Sequence, residues 1–328
     1  MMKAELQSKC DLFLQNRELV QKAYRWEDSR ITVLAANIAT GAGELLDEGK
    51  LKESDKLLKE NAGIFSDFRQ NLKTVIVVKM ALSADAEAYF EGVKQVYDLL
   101  SKGHLLGSEQ RVLAAMSIYE NCGLEGAEKV IAKTTQIYEY MKKEHPILTS
   151  DEDLPMAALL ALSEKEPEEL AEEMERCYQA MKDMSRSYSA LQALSHVMTL
   201  DLQPTETKSE KIRAIFNGLQ DNGMKFGRGY ELAALAILAM TDRATDTIVE
   251  DVAAVNELLK TQKGFKGLLG GANTECLMYS ALLVADTYIP ESDVTSIIMS
   301  GTLATVICQQ VALMIVATSA AATASASN

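Results

Sequence analysis

Residues 207–241 read TKSEKIRAIFNGLQDNGMKFGRGYELAALAILAMT, and the fold is decided here. Ile212, Ile215, Phe216 and Leu219 recur at spacings of three and four, which gathers them on one face of an α-helix. Asp221 to Gly229 then form a polar, glycine-bearing turn, and Tyr230 to Met240 are nearly all apolar. A helix that is apolar all round has to be buried. The stretch therefore predicts a helical hairpin whose first helix faces water on one side and whose second lies inside.

The same pattern recurs along the chain. Ala86 to Leu100 pair with Ser108 to Asn121 across Gly103, His104, Leu105, Leu106 and Gly107, with Ser108 as a good N-cap. The last apolar residues of successive first helices are Val20, Leu58, Leu100, Tyr140, Met181, Leu219 and Leu259, spaced by 38, 42, 40, 41, 38 and 40. This regularity predicts an all-α chain of about seven repeated helical hairpins, at least twelve helices, in one domain over 1–328. Turns are expected near 61–67, 101–107, 143–150, 183–187, 221–229 and 262–272. Alanines on the second helices, such as Ala114, Ala115, Ala157, Ala158, Ala233, Ala234 and Ala236, let inner helices pack closely, and a tight inner layer curves the array. Periodicity leaves both an open α/α superhelix and a closed toroid available.

Composition agrees. Apolar residues make up 48% and charged residues 24%, with only 5 Pro, so the chain can bury a core and is rich in helix formers. Its formal charge of −14 makes the surface repel nucleic acid, which is not expected as a partner. The five cysteines have no short metal-ligand spacing and read as reduced core thiols. The charged amino terminus resembles no secretory signal, so a cytoplasmic location is expected.

The tail differs, because no charged residue follows Asp293. A final apolar helix is expected over 293–319, buried as a cap or central helix, and 320–328 are expected to fray. Membrane contact through Ile297 to Val316 is the less favoured alternative, since no basic flank follows Lys266.

The densest polar constellation is Thr149 to Pro155. Asp151 and Asp153 could hold a hard cation or supply a general acid. The simpler account is capping: Thr149 and Glu152 match the S/T-x-x-E box, and acids at a helix start gain roughly 0.3–1 kcal/mol each from its dipole. Gly227, Arg228, Gly229, Tyr230 and Glu231, and then Gly270 to Glu275 with Asn273, occupy equivalent turns without nucleotide-binding spacing. Their glycines are read as tight turns. His196 shares an inner helix with Tyr188 and Gln192, where a buried, hydrogen-bonded histidine outweighs a ligand or proton-transfer role. No cofactor is predicted.

The run Leu148-Thr149-Ser150-Asp151-Glu152-Asp153-Leu154-Pro155, the alanine-rich helix after it, and Cys308-Gln309-Gln310-Val311-Ala312 with the small-residue tail resemble an uncharacterised bacterial family, domain of unknown function 4003. The resemblance spans nearly the whole chain and implies a bacterial cytosolic protein, with nothing about mechanism. From the residues, a binding scaffold for a protein or peptide is expected. Its rim would carry Thr149, Asp151, Asp153, Tyr188, Gln192, His196, Arg228, Glu231, Asn273 and Glu275. The alternative is an α/α-toroid enzyme for a small or carbohydrate-like substrate, with Asp151, Asp153 and His196 in a central cavity.

Overall fold

The computed structural model describes residues 2–64, 66–102, 107–263, 265 and 271–288, without the side chains of 271–273. The expected terminal helix over 293–319, the tail 320–328, the stretch Ile297 to Val316, His104 and the side chain of Asn273 lie outside the described residues.

Among the described residues the chain forms thirteen α-helices and no strand. They are α1 (Ala4–Ala23), α2 (Ser29–Gly41), α3 (Glu48–Asn61), α4 (Lys73–Leu82), α5 (Ala86–Leu100), α6 (Glu109–Glu144), α7 (Leu154–Ala161), α8 (Pro167–Met181), α9 (Tyr188–Leu200), α10 (Thr205–Asp221), α11 (Leu232–Ala239), α12 (Thr245–Thr261) and α13 (Gly271–Tyr288). Helix α6 is broken at Gly123, whose φ of 60° lies in the left-handed region that glycine adopts without a side-chain clash. The break divides α6 into two arms, 109–122 and 124–144.

Side-chain chemistry sorts the helices into two kinds. Every residue of α11, and every residue of α7 except Leu154, is buried, as their unbroken apolar sequences require. By contrast α3 buries only Leu51, Ser54 and Leu58, and leaves its lysines and glutamates to water. Buried apolar side chains from all thirteen helices form one contiguous core. Several helix starts are fixed by side chains that accept the otherwise orphaned N–H groups: Asp28, Asp47, Asp85, Ser108 and Ser187. The expected turn at 61–67 extends to Leu72, because a 3-10 turn over Asp67–Arg69 precedes α4.

Helices pack in sequential pairs, α1 on α2, α3 on α4, α5 on α6, α6 on α7, α8 on α9, α10 on α11 and α12 on α13, and α1 also packs on α13. At this seam the Lys3 ammonium lies 2.7 Å from Asp251 of α12, which also accepts from Tyr288 of α13 at 2.5 Å. Lys9 pairs with Asp286 at 2.6 Å. Buried Arg17 donates to the Lys263 carbonyl, and its guanidinium stacks 4.7 Å over Phe265, which also meets the Phe13 ring at 6.5 Å. Among the described residues no helix is long and apolar enough to cross a membrane.

Candidate binding rim

The segments that lead into the buried helices α2, α4, the first arm of α6, α7, α9 and α11, together with the start of α13, are tied to one another by polar side chains. Thr74 donates to Glu27 at 2.8 Å, joining the start of α4 to the segment before α2. Tyr97 donates to Asp67, and Glu109 accepts from the Leu72 N–H at 2.8 Å and from Asn71 at 3.1 Å. Buried Arg111 lies 3.5 Å from Asp151. Gln192 donates to Thr149 at 2.9 Å, joining α9 to the segment before α7. Ser185 donates to the Arg228 carbonyl, and Arg228 returns a bond to the Met184 carbonyl at 2.9 Å. Arg30 is held in its charged form first by Asp28 and further by the field of Glu275 on α13. These segments therefore lie side by side at one end of the buried helices.

The expected site residues divide into three groups. Thr149, Asp153, Gln192 and His196 lie mostly beneath the surface. The expected capping box is displaced by one residue. Ser150, not Thr149, is the cap: its hydroxyl accepts from the Glu152 N–H, and Asp153 accepts from the Ser150 N–H at 2.9 Å. Thr149 points inward instead, donating to the Met141 carbonyl at 2.9 Å while accepting from Gln192. The reason is geometric, since a 3-10 turn over Asp151–Asp153 precedes α7 and shifts the first free N–H groups.

Asp153 and His196 face each other at 3.7 Å, too far for a hydrogen bond. Burial pushes the Asp153 carboxyl up to about 7, against the pull of the Ser150 N–H, and Glu152 pushes the same way. Burial pushes His196 down to about 3, with His145 adding to the effect. The fold thus favours the uncharged form of both.

In the second group, Arg228 and Glu231 are used internally. The Arg228 guanidinium stacks 5.0 Å over Phe216, and Glu231 accepts the Gly229 N–H at 3.1 Å, so the chain's own carboxylate occupies the glycine turn where an external anion could have sat. Glu275 is raised by burial and steadied by Arg30. The third group is open to water: Asp151 is half-exposed beside Arg111, and Tyr188 is exposed. Among the described residues no group of three or more His, Cys, Asp and Glu side chains is arranged to hold a metal ion.

Sequence reading missed the apolar members of the rim. Trp26 is 100% exposed and Ile147 95%, and Ile64 is also exposed; they stand in the segments before α2, α7 and α4. With Tyr188 at the start of α9, they form a set of large apolar side chains at the same end of four buried helices. The signal was present, since each stands in a polar turn where the helical pattern offers it no core position. Buried Arg111 leaves no local trace, because its partner Asp151 comes from a distant segment.

The fold and this end of it define an all-α protein with a polar belt bearing exposed apolar side chains. The chain belongs to a family described as Protein of unknown function (DUF4003), which matches residues 16–312. No curated protein and no solved structure matches it.

Proposed function

We propose that the chain is a single-domain cytosolic scaffold of seven helical hairpins closed into an α/α ring, binding a protein or peptide at the rim where the buried helices begin. Closure is supported by the seam, where Lys3, Lys9, Phe13 and Arg17 of the first helix engage Asp251, Phe265, Asp286 and Tyr288 near the other end of the described chain. The cytosolic setting is supported by the free cysteines Cys10, Cys122, Cys177 and Cys276.

The observation that carries the binding reading is the set Trp26, Ile64, Ile147 and Tyr188, exposed apolar side chains at the same end of four of the hairpins. Single exposed apolar residues are ordinary, whereas aromatic anchors distributed along a polar rim resemble the hot spots through which proteins engage partners. Half-exposed Asp151 beside Arg111 adds a polar contact to the same end. An enzymatic role for Asp151, Asp153 and His196 has less support, because His196 is almost wholly buried and the recess that reaches it holds only about 20 Å³, little more than one water.

Photo-crosslinking in cells tests the reading. A crosslinkable residue replacing Ile147 or Tyr188 should capture the same discrete partner, while one at exposed Leu202, just beyond the other end of α9, should not. Equal adducts from both ends, or none from the rim, would contradict it.

A further inference from the structure

A cavity of about 320 Å³ opens at the opposite end of the buried helices. Its walls come from the last turns of α2 (Asn37, Ile38, Gly41), α4 (Lys79, Leu82) and the first arm of α6 (Glu120), with Asp286 from α13. The charged side chains there are already matched. Glu120 accepts from Lys79 at 2.9 Å and from Tyr89 at 2.6 Å, and Asp286 pairs with Lys9 at 2.6 Å. Asn37 is different: it is only 7% exposed and lines the cavity, yet its carboxamide has no hydrogen-bond partner among the described residues. Its polar atoms open to the cavity rather than being sealed in the core, so a molecule seated there can bond them directly.

The sign of the ligand follows from the backbone. Lys9 also covers the end of α2 by donating to the Thr40 carbonyl at 3.2 Å. Two carboxylates and two ammonium groups nearly cancel, which leaves the ends of α4 and the α6 arm as the remaining source of field. Each helix carboxyl end carries the equivalent of about −0.5 charge, so these two converging ends favour a cation and disfavour an anion. Ile38, Ala42 and Leu82 add an apolar wall suited to methylene groups. At about 30 Å³ per water, the cavity has room for roughly ten waters or a ligand of similar bulk.

We propose that this cavity binds a small aliphatic primary amine or diamine, its ammonium group donating to the Asn37 carboxamide oxygen and lying beside Asp286, with its methylenes against Ile38 and Leu82. This site does not depend on the rim and would stand if the rim bound nothing.

The test is isothermal titration calorimetry on the full chain with 1,4-diaminobutane, at ionic strength fixed with sodium chloride, and with butyrate as the comparator of opposite charge. Saturable single-site binding of the diamine and none of butyrate is the expected result. Asn37→Asp should tighten diamine binding by about tenfold, because it adds a full charge at contact distance, and Asn37→Leu should weaken it by at least as much. If Asn37→Leu does not fold, Leu82→Phe, which fills the cavity from its edge, should abolish binding in its place. Absence of saturable diamine binding, butyrate binding as tightly, or affinity indifferent to the Asn37→Asp and Leu82→Phe changes would overturn the assignment.

Discussion

The junction between α8 and α10 and the seam between α1 and α12–α13 are both built around a lysine and a carboxylate, yet they differ in what surrounds the pair. At the junction Lys208 is 1% exposed and lies 2.5 Å from Glu173, which also accepts from Arg176 and Thr205. Burial alone would raise that carboxyl, but hydrogen bonds from Lys208 and Arg176 outweigh it and hold it down to about 2. At the seam Lys3 is 47% exposed, and the closely packed groups are instead Phe13, Arg17 and Phe265. Helices close in sequence are thus joined here by a buried ion pair, whereas the distant ends are joined by aromatic packing together with a mostly buried pair, Lys9 and Asp286, and a more exposed one at Lys3. Apolar packing and buried charge should respond to mutation by different rules.

The largest effect is expected at the seam. Phe265→Ala removes a ring shared by Phe13, Arg17 and Tyr279, and should cost about 3–4 kcal/mol in chemical denaturation, the usual range for a buried phenylalanine. A loss under about 1 kcal/mol would mean that the seam contributes little. At the junction, Lys208→Met should cost about 3 kcal/mol by leaving Glu173 partly uncompensated, with Arg176 limiting the damage. Replacing both Glu173 and Lys208 with Met should recover most of that loss, because the burial penalty disappears with the charges. A double variant as unstable as the single one would show that shape, rather than charge, holds the junction. By comparison Lys3→Ala, at the exposed margin of the seam, should change stability by less than about 1 kcal/mol.

A different kind of effect, read from pH dependence rather than from a single stability, concerns Asp153 and His196, a buried facing pair with no strong compensation of the Glu173 kind. Between about pH 4 and 7 the unfolded chain has released the Asp153 proton while the folded chain retains it, so this group makes stability fall as pH rises. Between about pH 3 and 6.5 the unfolded chain takes up a proton on His196 that the folded chain refuses, so this group makes stability rise with pH. The two slopes oppose each other over the shared range. Asp153→Asn should therefore expose a stability that increases with pH by up to about 1.4 kcal/mol per unit, and His196→Gln one that decreases by as much. Denaturation midpoints measured from pH 4 to 7 check both signs, and parallel profiles for the two variants would rule out the opposing assignment.

The contrast between seam and junction also explains how far the sequence could be read. The helical character was legible because local side-chain spacing generates it: Ile212, Ile215, Phe216 and Leu219 on α10, and the uniformly apolar α11, required no knowledge of their neighbours. The seam was not legible, since Arg17 and Lys263, or Lys3 and Asp251, are joined only by tertiary structure and leave no periodic trace. The same division holds at the rim. The Thr149 to Asp153 turn stood out by composition, but a one-residue shift of the cap exchanged the roles of Thr149 and Ser150, and whether a side chain points inward is settled by that shift. Trp26 and Ile147 were passed over because a large apolar residue is first read as core.

The proposed ring is tested most directly by the distance between the first helix and the last hairpin of the described residues. Spin labels at exposed Ser8 on α1 and exposed Glu257 on α12 can be placed in a chain carrying Cys122→Ala and Cys308→Ala. The thiols of Cys10, Cys177 and Cys276 are buried and held protonated, their pKa values pushed up first by burial to about 12, 11 and 11, so they should resist labelling. Pulsed electron resonance should then give a single narrow distribution below about 40 Å, the span of two labels on helices that each pack on α13 with axes about 10 Å apart. A broad distribution, or one centred well beyond that distance, would mean that the ends stand apart and that the chain is an open superhelix.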